Sequence, residues 1–141
     1  MDKFAYYLRY TAIYAMFALT MLGSSIEKVL GSAPDWFKEQ FQDTLVAAFP
    51  GIEVSWRLAG VLELAVVGLL VASLLRSEFQ PHKPKGALKA GLGMAAITFM
   101  VLAVGQRISA EFSGAATLFF YFGATMATLL VVFHDERKAV A

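Results

Sequence analysis

Four long apolar runs set the terms for this chain. They cover Phe4–Leu22, Trp56–Leu75, Leu88–Gly105 and Ala115–Phe133. Each is about 18–20 residues, so as a helix each rises about 27–30 Å, the thickness of a bilayer's hydrocarbon core. With 141 residues in all, little chain remains for anything else. Charged residues make up 16% of the sequence, against about 25% in a soluble domain. The expected fold is all-α: a single transmembrane domain over residues 1–141, built as a four-helix up-and-down bundle. The expected solvent is the lipid bilayer.

The N-terminus has one feature of a secretory leader, a lysine ahead of an apolar run. Arg9 interrupts that run, and no small-x-small cleavage site precedes Gly23, so the segment reads as a retained first span. Lys and Arg are distributed unevenly. Lys3, Arg9, Arg76, Lys83, Lys85, Lys89, Arg137 and Lys138 fall on one side of a four-span threading, and Lys28, Lys38, Arg57 and Arg107 on the other. By the positive-inside rule both termini are expected in the cytoplasm. The Arg76–Gly86 connection, broken by Pro81, Pro84 and Gly86, is expected to lay its basic residues among anionic headgroups. The run from His134 to Lys138 reads as an ordinary charged stop. Between the first two spans, residues 35–49 carry Phe37, Phe41, Leu45, Ala48 and Phe49 at helical spacing. They predict one amphipathic helix, with Pro34 in its first turn and Ser32 as a cap, lying on the membrane or covering the bundle.

Glu63 is the leading candidate for function. It stands near the middle of the second span, where an ionised carboxylate costs about 2.5 kcal/mol or more unless it finds a cation, water or a ligand. Arg57 lies six residues earlier on the same helix, off its face, which leaves Lys28 or Arg107 as the expected partner. Tyr6, Tyr10 and Tyr14 form a stripe on the first span, and Thr117, Tyr121 and Thr125 another on the fourth. Either stripe can serve as interhelical hydrogen bonding. In a binding protein Tyr10, Tyr14 or Tyr121 would position a ring beside Glu63, in a pocket of a few hundred Å³. The small residues Gly60, Gly68, Ala72, Gly91, Ala95, Gly123 and Ala127 are expected to allow close helix packing.

Several chemistries find no support. There is no cysteine, hence no thiolate nucleophile and no thiolate metal site. His82 and His134 are single loop residues without neighbouring ligands, so no metal is expected. No second intramembrane carboxylate accompanies Glu63, and neither histidine has a nucleophile at hand. A net charge of +1 gives no pull on nucleic acid. The chain is not expected to be catalytic on its own, and no cofactor is required by its residues; a quinone is compatible with them.

The segment LGSSIEKVLG at Leu22–Gly31, then Pro50-Gly51, then AGVLELAVVGLLV at Ala59–Val71 resembles the DoxX-like membrane proteins. Their pattern is a Gly-and-Lys end to helix one followed by a Gly-x-x-Glu helix two with later glycines. Here Gly23 and Lys28 are five apart. The resemblance implies a small four-helix protein of the bacterial inner membrane, in a family named for a subunit of a quinone-linked thiosulfate oxidation system. Related thiol-oxidising enzymes use cysteines that this chain lacks, so that activity is not implied. The expected function is an accessory, non-catalytic subunit of a membrane redox or respiratory complex. Its partners would be other membrane subunits, or further copies of itself. A quinone- or lipid-binding component of an oxidoreductase is the alternative, and a small transporter ranks below both.

Overall fold

The computed structural model describes residues 3–140, and all its regular elements are helices. They are α1 (Lys3–Leu30), α2 (Asp35–Phe41), α3 (Leu45–Ala48), α4 (Ile52–Leu75), α5 (Gly86–Ile108) and α6 (Phe112–Val140). The four long helices α1, α4, α5 and α6 are each long and apolar enough to cross a membrane. Their outward faces carry Phe4, Leu19, Leu75, Phe119 and Leu130, all well exposed. A continuous apolar exterior of this kind is costly in water and suited to lipid.

The long helices outrun their apolar stretches. α1 has 28 residues, about 42 Å of rise, and continues past Leu22 to carry Lys28 in its last turn. α6 runs on to Val140, with Arg137 and Lys138 in its last turn, where cations suit the helix dipole.

Among the described residues, extensive packing joins α1 to α4, α4 to α5, and α5 to α6. The core contains Tyr6, Tyr10, Phe17, Val66, Leu70, Leu92 and Val132. α1 and α6 meet through Asp135, which accepts from Arg9 at 2.8 Å and from Tyr10 at 3.3 Å. The His134–Lys138 run is therefore not a plain stop. Asp135 is buried because Arg9 and Tyr10 of α1 compensate its charge.

The amphipathic segment differs from expectation. It is two short helices, broken at Gln42–Thr44. Thr44 is extended, and its hydroxyl donates to the Phe41 carbonyl at 2.8 Å while accepting from Val46 N–H at 3.2 Å. A threonine able to cap a new helix competes with continuation of the old one. The break turns Leu45 and Phe49 outward, 79% and 83% exposed, whereas Phe41 stays buried. Pro34, not Ser32, precedes the first helical residue of α2, and no side chain caps that end. Gly51, at φ +103°, turns the chain into α4 in a conformation that strains other residues.

The α4–α5 connection departs from a headgroup-facing loop at Lys85, while Arg76 and Lys83 stay exposed. Lys85 is fully buried: its Nζ donates to the carbonyls of Glu78 at 2.6 Å and Gln80 at 3.0 Å and lies 4.7 Å from the Tyr10 ring centre. The Glu78 carboxylate accepts from Ala87 N–H at 3.1 Å, Leu88 N–H at 2.8 Å and the Ser73 hydroxyl at 3.0 Å. These backbone donors open α5 and have no partner within the helix, so the acid serves as their cap. Lys89 turns to Glu136 at 2.5 Å.

Close approach through a missing side chain occurs at Gly60, where a Cβ would stand 2.6 Å from Lys28 Cβ and 3.1 Å from Val29 N, and at Gly91 against Leu69 and Leu70 of α4. Gly68 and Gly123 face open space, so packing does not account for them. Gly60→Ala is expected to push α1 off α4 and cost about 1–3 kcal/mol, the usual range for overpacking. Reversible unfolding in mixed micelles measures it, with Gly68→Ala as the control that changes little.

Candidate functional site

Glu63 lies in the middle of α4 and is 5% exposed. Its Oε1 accepts from Lys28 Nζ at 2.7 Å. Lys28 also donates to the Ser24 hydroxyl one turn earlier, and its ammonium sits 5.4 Å from the Trp56 ring centre. The geometry follows from two local facts. α1 stays helical through its polar last turns, which brings Ser24 and Lys28 onto one face. Gly60, three residues before Glu63, then lets the Lys28 stem lie directly against α4.

The pair is incompletely satisfied. Glu63 Oε2 and Trp56 Nε1 are both buried without a hydrogen-bond partner. A carboxylate oxygen or indole N–H left so is costly, and such groups in a native protein call for an explanation.

Both residues line a cavity of about 530 Å³. Its walls are mostly apolar and include Phe17 and Met21 from α1, Phe99 from α5 and Tyr121 from α6. The short helix α2 covers it. Trp36 and Phe37 pack on Trp56 with ring centres 5.9 and 5.0 Å away. Gln40 Nε2 ties this cover to the end of α5 by donating to Gln106 Oε1 and Ser109 Oγ, both at 2.8 Å. Glu53 fixes the preceding strap by accepting from Ala33 N–H at 2.9 Å. A second groove, between α1 and α6, is bordered by Arg9, Ile13 and His134 and shares Thr128 with the main cavity.

The structure brings together Glu63, Lys28 and Tyr121 of the residues singled out from sequence. The others lie elsewhere. Arg107 does not reach Glu63; its guanidinium stacks 4.5 Å from the Phe112 ring centre, because Phe112 begins α6 beside it. Arg57 is exposed. Tyr10 and Tyr14 belong to the separate polar cluster with Asp135, Ser73 and Glu78, where Tyr14 Oη and Ser73 Oγ are 2.6 Å apart. Thr117 and Thr125 of the fourth-span stripe donate to carbonyls of their own helix, as do Thr98 and Thr128, so these hydroxyl protons make no interhelical bond. Sequence reasoning missed Trp36, Phe37 and Trp56 as site residues, although Trp56 opens the span that carries Glu63 and Trp36 precedes it. Among the described residues no three His, Asp or Glu side chains gather as a metal site.

Neither the known family profiles, nor characterised proteins, nor solved structures provide a match to this chain.

Proposed function

We propose that the protein is a four-span, up-and-down bundle that holds a lipid-phase amphiphile, of the quinone or lipid class, in the cavity beside Glu63. It acts as the binding component of a membrane redox system and does no chemistry by itself. One observation carries this reading: a cavity of about 530 Å³ with largely apolar walls is lined by Glu63 and Trp56, whose buried carboxylate oxygen Oε2 and indole N–H have no partner in the protein. Apolar walls with a few convergent polar groups are the general form of a small-molecule site. The aromatic cover separates the polar end from the adjoining aqueous phase, while the groove between α1 and α6 offers the apolar part a path to lipid. The Lys and Arg distribution would put the cover outside and both termini in the cytoplasm. The DoxX-like pattern of Gly60 and Glu63 suggests a bacterial inner membrane and neighbouring redox subunits as partners.

Native mass spectrometry of the full chain released from membranes tests the reading. The wild type is expected to retain one amphiphile per chain. Ala124 lines the cavity from α6 and is otherwise exposed, so Ala124→Phe fills space without entering the core. Retention should fall to about a tenth or less, as expected when a bulky ring denies a ligand several of its contacts. A chain that carries nothing, or a variant that retains the same ligand equally, would contradict it.

A further inference from the structure

We infer that the cavity selects an uncharged head bearing a hydroxyl donor next to an oxygen acceptor. The inference rests on the binding reading above and specifies what that ligand must offer. Charge comes first. Lys28 and Glu63 neutralise each other at 2.7 Å, so an empty site has no net charge to donate to a ligand. A charged head of either sign would leave water for largely apolar walls, where the Lys28 and Glu63 charges are already paired with each other, so its desolvation goes uncompensated.

Hydrogen-bond accounting narrows the head further. Glu63 Oε1 and Lys28 Nζ are already engaged with each other, and Lys28 also with Ser24. The buried atoms left with no partner at all are one acceptor, Glu63 Oε2, and one donor, Trp56 Nε1, while the Lys28 ammonium keeps one further proton to donate. An ionised carboxylate only accepts and an indole only donates. A ligand that can only accept, such as a ketone or an ether, satisfies Trp56 and leaves Glu63 Oε2 orphaned. A head with a hydroxyl satisfies both. Two sources share this chemistry: a hydroquinone ring and the glycerol of a monoacylglycerol. On a ring ligand the site therefore distinguishes the reduced form, which donates, from the oxidised form, which does not.

The chain supplies its own reporter, because its two tryptophans, Trp36 and Trp56, both line the cavity. Tryptophan emission of the full chain in lipid nanodiscs is titrated with decylhydroquinone, its dimethyl ether, monoolein and oleate. The hydroquinone is expected to bind about tenfold tighter than its ether, and monoolein about tenfold tighter than oleate, the effect of leaving one charged acceptor unpaired. Saturation by the hydroquinone alone, or by monoolein alone, supports the inference and identifies the source. Glu63→Gln should erase the preference for hydroxyl over ether, since a carboxamide can donate to an ether oxygen. Trp56→Phe, read through Trp36, should weaken both ring ligands and keep the preference. Should Glu63→Gln fail to fold, the wild-type ratios and Trp56→Phe still decide. If the wild type binds ether as well as hydroquinone, or oleate as well as monoolein, the inference fails and the binding reading stands. If no probe alters the emission, both fail.

Discussion

Lys28→Met is expected to destabilise the folded chain by about 3–5 kcal/mol, the usual cost of leaving one member of a buried ion pair alone. Glu63 sits 12 residues into a 24-residue helix and has no route to water by bending its side chain. Lys28 is different: it occupies the last turn of α1, and its long stem can carry the ammonium toward an interface. The two single variants should therefore be unequal, with Glu63→Met the milder. Removing both charges together should restore stability to within about 1 kcal/mol of wild type, since apolar replacements of a buried pair are often neutral. Unfolding in mixed micelles of the two single variants and the double variant reads the coupling. Additive losses would show that the pair is not energetically joined. The same double variant should not retain the ligand, which separates the stability of the pair from its use.

Glu78→Ala is the second large effect. One carboxylate accepts from Ser73, Ala87 and Leu88, and the turn it closes supplies both carbonyls that hold the buried Lys85. Bonds to a charged acceptor contribute about 1.5–3 kcal/mol each. Loss of three at once should cost about 3 kcal/mol or more, even after water replaces some of them. Hydrogen exchange localises the damage: the amides of Ala87 and Leu88 should lose protection, while those around Glu63 change little. Glu78→Gln, with one remaining carboxamide oxygen to accept, should fall between. Equal protection at residues 87 and 88 in wild type and Glu78→Ala would contradict the capping role.

These two clusters show which parts of the molecule were legible in the chain. Run length and hydropathy alone indicate four long helices, because a segment as apolar as Trp56–Leu75 has few other ways to satisfy its backbone in lipid. Glu63 was equally visible as a lone charge within such a segment. Its partner was harder to choose. Lys28 lies beyond the apolar run, and only continuation of α1 to Leu30 brings it over Glu63. Periodicity sets Tyr10 and Tyr14 on one face of the first span but fixes no height relative to Glu63. Tyr10 is 18 residues before Lys28, about 27 Å along the helix, so the two belong to different ends of the bundle. Lys85 and Asp135 read as solvated charges because each stands outside an apolar run. Their burial depends on contacts across helices, Arg9 with Asp135 and Tyr10 with Lys85, that no local pattern encodes. The break at Thr44 was masked by apolar spacing that continued across it.

A pocket beside Glu63 is an expectation of the sequence, but its walls are not, since they arise from how α1, α4, α5 and α6 enclose space beneath α2. A density map of the full chain in nanodiscs drawn directly from membrane lipid tests its role most directly. Elongated density is expected between α1 and α6, with a polar end within hydrogen-bond reach of Glu63 Oε2 and Trp56 Nε1. Phe37 and Tyr121 collapsed into that space, or ordered water alone against both atoms, would contradict it.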